Sequence, residues 1–206
     1  VNYQRKYMLD TSFPNASVET LLHAFLPHKF VDHSHSNAIL SLIDQPDPIK
    51  ICKKVFGEEM GIVPYIMPGF QLAQKAAEVF EQNPKVKGLI LLNHGIFTFA
   101  DDAKESYELM IKYISLAEKE LKQKSKSIRV KKYQEKKITT SLIANLIRQQ
   151  ISIKANQQID RKVVYYHKPN FLDEFFSHPK LKQFTTQGPV TPDHVIRIKS
   201  KPLVID

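Results

Sequence analysis

The chain has 206 residues, 42% of them hydrophobic, a formal net charge of +9 and one cysteine, Cys52. That length suits one domain, or one domain with a smaller appendage. No apolar run approaches the roughly 20 residues of a membrane-spanning helix. The polar stretch Val1 to Asp10 is not expected to be a secretory signal, and a single cysteine excludes a disulfide framework or a multi-cysteine zinc site. The expectation is a soluble, cytoplasmic protein.

The elements alternate along the first part of the chain. Asn15 and Ser17 are candidate caps after Pro14, and Val18, Leu21, Leu22 and Phe25 recur at helical spacing, ending before Pro27. Lys29 to His33 reads as a strand, Asn37 to Leu42 and Ile49 to Phe56 as helices, and Gly61 to Ile66 as a strand. Gln71 to Phe80 predicts an amphipathic helix with Leu72, Ala76, Val79 and Phe80 on one side. Lys87 to Leu92 predicts a buried strand and Ile96 to Phe99 another. Asp101 opens a long helix to about Lys122, its apolar residues being Tyr107, Met110, Ile111, Ile114 and Ala117. Strands alternating with helices argue for a layered α/β domain.

The later part differs. Residues 1–122 hold 13 Lys+Arg against 15 Asp+Glu, a balance of −2, while residues 123–206 hold 17 against 6, a balance of +11. Lys122 to Lys137, with seven Lys, one Arg and one acid, reads as a solvated helix end or linker. No Gly-aromatic motif, zinc knuckle or interleaved stacking aromatics accompanies the charge, so no nucleic-acid partner is expected. Thr139 to Ile153 predicts a helix, Arg161 to His167 a strand and Phe171 to Phe176 a short helix. The tail with Pro189, Pro192 and Pro202 is expected to be largely extended. The division expected is an α/β domain over 1–122, which carries the candidate metal ligands taken up next, and a basic helical extension with an extended connecting tail over 123–206.

Three histidines are candidates for chemistry. His33 and His35 are two apart, so in an extended strand both imidazoles face one side. His94 follows the apolar Leu89 to Leu92, and Gly95 is expected to let the backbone turn beside it. Three histidines that leave a coordination position open describe a catalytic zinc site. His23, near the apolar face of its helix, is expected in the core, and His167, His178 and His194 at the surface. Glu19, in the first helical turn, suits either the helix dipole or the role of general base near a metal.

Pro14-Asn15-Ala16-Ser17-Val18-Glu19, His33-Ser34-His35 and Leu91-Leu92-Asn93-His94-Gly95 together resemble the class II aldolase/adducin family. The stretch Ser17 to Ala24, Gly61-Ile62-Val63-Pro64-Tyr65 and the tail Gly188 to His194 look most like the aldolase part of fused rhamnulose-phosphate aldolase/short-chain dehydrogenase proteins. The resemblance implies a three-layer α/β/α fold with a central mixed or largely antiparallel sheet. It implies Zn2+ on His33, His35 and His94, Glu19 as catalytic acid/base, and Ser17 as a substrate-phosphate contact. Val18 stands where some members have a second serine. The implied activity is a lyase of carbohydrate metabolism, cleaving a ketose phosphate by retro-aldol chemistry through a zinc-bound enediolate. A homo-oligomer is implied, as is a fused dehydrogenase domain in a longer parent.

The same enolate chemistry serves epimerases, dehydratases and decarboxylases, and adducin-like members are non-catalytic interaction modules, so those alternatives stand beside the aldolase. The Gly-Asn and Ser-bearing phosphate loops that precede the glutamate in the family's aldolases are absent: 18 residues precede Glu19, and the first glycine is Gly57. The sequence therefore reads as a domain lacking its beginning.

Overall fold

The structure is a computed structural model that describes residues 2–124, 140–152, 154–155, 158–159, 162–165, 172–198 and 201–202. The chain divides into two compact units, Val1–Lys126 with Gly188–Ser200, and Ser127–Gln187 with Lys201–Asp206.

The first unit is built on a four-stranded mixed sheet. Its strands are β1 (Phe30–Ser34), β2 (Met60–Val63), β3 (Gly88–Leu91) and β4 (Gly95–Ala100), in the order β1-β4-β3-β2. β1 and β3 are both antiparallel to β4, and β2 is parallel to β3. β1 and β3 therefore run the same way on either side of β4. Their C-terminal ends meet at the start of β4, where Ser34 pairs Ile96 and Leu91 pairs Gly95.

Alternation along the strands fills two cores. Leu89, Leu91, Phe97 and Phe99 pack with Leu22, Leu72, Ala73 and Ala76 on one face. That face is covered by α2 (Thr20–Phe25) and α5 (Phe70–Gln82). Ile90 and Ile96 point to the other face, under α3 (Asn37–Ile43), α4 (Pro48–Phe56) and α6 (Ala103–Lys124). The result is the expected three-layer α/β/α arrangement. Each fully buried Leu, Ile or Phe contributes about 1.5–3 kcal/mol of transfer free energy. Cys52 is among the buried residues, and burial pushes its thiol up to about 11, which keeps it uncharged and inert at neutral pH.

Several expectations need correction. The first core helix begins at Thr20, not at Asn15 or Ser17. A turn holds Ser17 to Glu19, with the Thr20 amide donating to the Ser17 carbonyl at 3.1 Å. Glu19 thus occupies the N-cap position rather than the first turn, and its side chain caps nothing. A short helix, α1 (Asn2–Arg5), precedes it, and Arg5 donates to Asn15 Oδ1 at 3.2 Å. On α6 the buried stripe is Ser106, Met110, Tyr113 and Ala117. Tyr107 and Ile111 face solvent, because Tyr113 can be buried with its hydroxyl donating to Glu59 Oε2 at 3.0 Å. His23 is exposed and meets Phe97 only edge-on, whereas His28 is half-buried and stacked on Phe99 at 4.6 Å.

The second unit contains α7 (Thr140–Ile151), the two-residue strand pair β5 (Lys154–Ala155) and β6 (Gln158–Ile159), α8 (Leu172–Phe176) and α9 (Leu181–Thr186). The strand expected over 161–167 is not formed at residues 162–165, and its remainder lies outside the described residues. So do 125–137 of the basic run, Thr139, Ile153, Phe171 and His167. The tail is not extended throughout. α10 (Pro192–Arg197) starts within it at Pro192, because proline suits the first helical position and Thr191 supplies the cap. His194 is exposed, and His178 is half-buried against Phe184, its Nδ1 accepting from the Lys180 amide. No described helix is long and apolar enough to cross a membrane.

Candidate metal centre

The sheet topology brings the three histidines together. His33 is the penultimate residue of β1, His35 follows the strand, and His94 sits in the loop that joins β3 to β4. The left-handed residue in that loop is Asn93, at φ 57°, and not Gly95. Asparagine tolerates this conformation better than most residues, and its Nδ2 donates to Asp44 Oδ1 at 3.0 Å. Burial raises the Asp44 carboxyl, and the Asn93 hydrogen bond opposes that. Gly95 is required for a different reason: a Cβ there would lie 2.5 Å from the Ser34 carbonyl oxygen and 3.2 Å from both His33 Cε1 and His35 Cδ2. The two rings occupy the space that a side chain would need.

Each imidazole turns its Nε2 inward. His33 Nε2 lies 2.9 Å from His35 Nε2 and 3.3 Å from Glu19 Oε1. His94 Nε2 is 2.6 Å from the same carboxylate oxygen, and His35 Nε2 is 3.8 Å away. Glu19, His33, His35 and His94 place one donor atom each within 4.8 Å of all the others. Phe97 backs the cluster, its ring stacked on His33 at 4.1 Å.

The outer nitrogens determine what the inner ones carry. His33 Nδ1 donates to the Ile96 carbonyl at 2.9 Å. His35 Nδ1 donates to Asp193 Oδ2, also at 2.9 Å. Both acceptors demand a proton on Nδ1, so the neutral rings keep their lone pairs on Nε2. Two lone pairs 2.9 Å apart, beside a carboxylate, require a positive charge between them. Protons or a metal ion meet that requirement. Ligands at 2.0–2.1 Å around one tetrahedral ion stand about 3.3 Å apart, close to the 2.9 Å between His33 Nε2 and His35 Nε2. The donor set, three imidazoles beside a carboxylate, could hold a metal ion. His94 Nδ1 is buried and has no hydrogen-bond partner among the described residues.

When the inner nitrogens are protonated, hydrogen bonds from His33 first, then His94, hold the Glu19 carboxyl well below the usual carboxylate range, so it is ionised at neutral pH. Its side chain remains 20% accessible, open to a ligand. Ser17 is exposed, and its Oγ accepts from the Glu19 amide at 3.2 Å, which leaves the hydroxyl proton free to donate. All five residues singled out in the sequence thus lie at one end of the sheet. Phe97, Asn93 and Asp193 are additions. For Asp193 the signal was Thr191-Pro192-Asp193, the pattern of a capped helix start.

A mixed α/β sheet with imidazoles and a carboxylate at one end defines an α/β fold carrying a metal-type site. Residues 1–121 match the model of the class II aldolase and adducin N-terminal domain, and residues 138–206 that of the aldolase class II second domain. The chain belongs to the class II aldolase and adducin family. It is 30% identical over 214 residues to the uncharacterised oxidoreductase YuxG of Bacillus subtilis strain 168, an alignment covering 100% of this chain and 30% of that protein. The chain thus spans less than a third of that relative. The N-terminal class II aldolase domain of a protein from Thermoplasma acidophilum shares the fold at a TM-score of 0.53 and 43% identity, over 59% of this chain and 55% of that one.

Proposed function

We propose that the chain is a zinc-dependent aldolase-type lyase domain that cleaves a ketose phosphate by retro-aldol chemistry. The observation that carries this reading is the convergence of three Nε2 atoms and the Glu19 carboxylate at one end of the sheet. His33, His35 and His94 would hold the ion, which when bound supplies Lewis-acid polarisation of the substrate's oxygens.

Glu19 acts as the acid/base. It is ionised and partly open to solvent, beside the site where a polarised carbonyl would sit. In cleavage it returns a proton to the carbon that loses its aldehyde partner, and in condensation it removes that proton. Ser17, one turn away and with a hydroxyl proton to donate, binds the phosphate. The adducin-like alternative of a non-catalytic module is disfavoured by the presence of all three histidines together with Glu19. The oxidoreductase name of the longer Bacillus relative supports a dehydrogenase domain elsewhere in a longer parent protein. The domain would work in the cytoplasm as a homo-oligomer.

The test is cleavage of a panel of ketose 1-phosphates by the zinc-loaded chain, read as release of dihydroxyacetone phosphate. Turnover of at least one ketose, lost on chelation, is expected. A metal-loaded chain that cleaves none of them contradicts the aldolase reading.

A further inference from the structure

The inner ligands do not explain why His35 is oriented as it is. His35 lies beyond the end of β1, so no sheet hydrogen bond fixes its ring. His33 differs, because its Nδ1 is tied to the Ile96 carbonyl in the neighbouring strand. For His35 the matching role falls to a side chain 158 residues further along, Asp193, at 2.9 Å from Nδ1.

Asp193 is itself well placed. It is the second residue of α10, behind Pro192 and the cap Thr191. Thr191 is buried, and its hydroxyl oxygen accepts from the His194 amide at 3.3 Å. The segment Gly188–Ser200 forms part of the same compact unit as the sheet. The tail therefore delivers a carboxylate to the outer side of the ring from an anchored helix start.

We infer that Asp193 is a positioning residue for the metal centre: its carboxylate fixes the Nδ1–H tautomer of His35 and aims Nε2 at the ion. A carboxylate behind a ligating imidazole orients the ring, raises its basicity, and is commonly worth 10–100-fold in metal affinity. The tail that lies apart in sequence from the histidines thus completes their outer shell. This inference rests on the reading of His33, His35 and His94 as metal ligands.

The test uses the full chain in wild-type, Asp193→Asn and Asp193→Ala forms. Co2+ affinity is measured by optical titration, and the His35 tautomer of the metal-free chain by 15N NMR. Asp193 is 54% exposed, so the variants are expected to fold with an unchanged melting temperature. Both should bind Co2+ about 10–100-fold more weakly. In the alanine variant the His35 proton should no longer be confined to Nδ1. Equal affinity in all three forms, or a His35 tautomer indifferent to the substitution, overturns the inference. Failure of wild type itself to bind Co2+ overturns the metal reading, and with it this one, and is distinguishable because it appears before any substitution.

Discussion

Glu19→Gln is expected to keep the metal and to slow proton exchange beside a substrate carbonyl by about 10²–10⁴-fold, the usual contribution of a positioned acid/base. Glutamine has nearly the same shape and leaves an oxygen where Glu19 Oε1 now lies, 2.6 Å from His94 Nε2 and 3.3 Å from His33 Nε2. The three imidazoles still face inward. What disappears is the carboxylate that the proposed mechanism uses as proton acceptor, and a carboxylate is ionised at neutral pH. Exchange of the carbon-bound hydrogen of dihydroxyacetone phosphate with deuterium isolates this step from aldehyde binding. Equal exchange rates in variant and wild type, with metal bound in both, would remove Glu19 from the mechanism.

Gly95→Ala is expected to cost about 1–3 kcal/mol of stability, the range for forcing extra atoms into a packed interior, and to weaken metal binding at the same time. The added methyl would meet the Ser34 carbonyl oxygen at 2.5 Å. That oxygen belongs to the backbone of β1, which is paired to β4 along its length, so it cannot move without disturbing the ladder. The His33 and His35 rings, 3.2 Å from the same methyl, would be pushed away from Glu19. Denaturant unfolding and Co2+ titration of one preparation separate the two effects. A variant as stable as wild type and with unchanged affinity would show that the close approach has no consequence.

The site was more legible in the sequence than its surroundings. His33 and His35 share a face by the two-residue period of a strand, and the apolar run before His94 marks a buried strand whose end carries a polar residue. Those local patterns, with the family resemblance, bring out Glu19 and the three histidines. The partners that shape the site come from packing, which spacing does not encode. Gly95 suggests a turn, yet the turn is made by Asn93, and the glycine answers to a crowded neighbour in another strand. Asp193 is separated from His35 by 158 residues.

The same reason accounts for the helices that went astray. Tyr107 and Ile111 fit a helical stripe, but which side of α6 is buried depends on what lies opposite. Glu59, which takes the Tyr113 hydroxyl, turns the helix the other way. In the tail, prolines suggested an extended chain. Pro192 instead opens a helix, since a missing amide proton costs nothing in the first turn. Helix starts there are local signals, and Thr191 before Pro192 was one of them.

The proposed chemistry requires one ion held by His33, His35 and His94. Metal analysis of the purified chain, alongside the His33→Ala/His94→Ala double variant, tests it most directly. About one zinc per wild-type chain is expected, as a single three-histidine site holds, and none in the double variant. A double variant that retains the full metal content would contradict it.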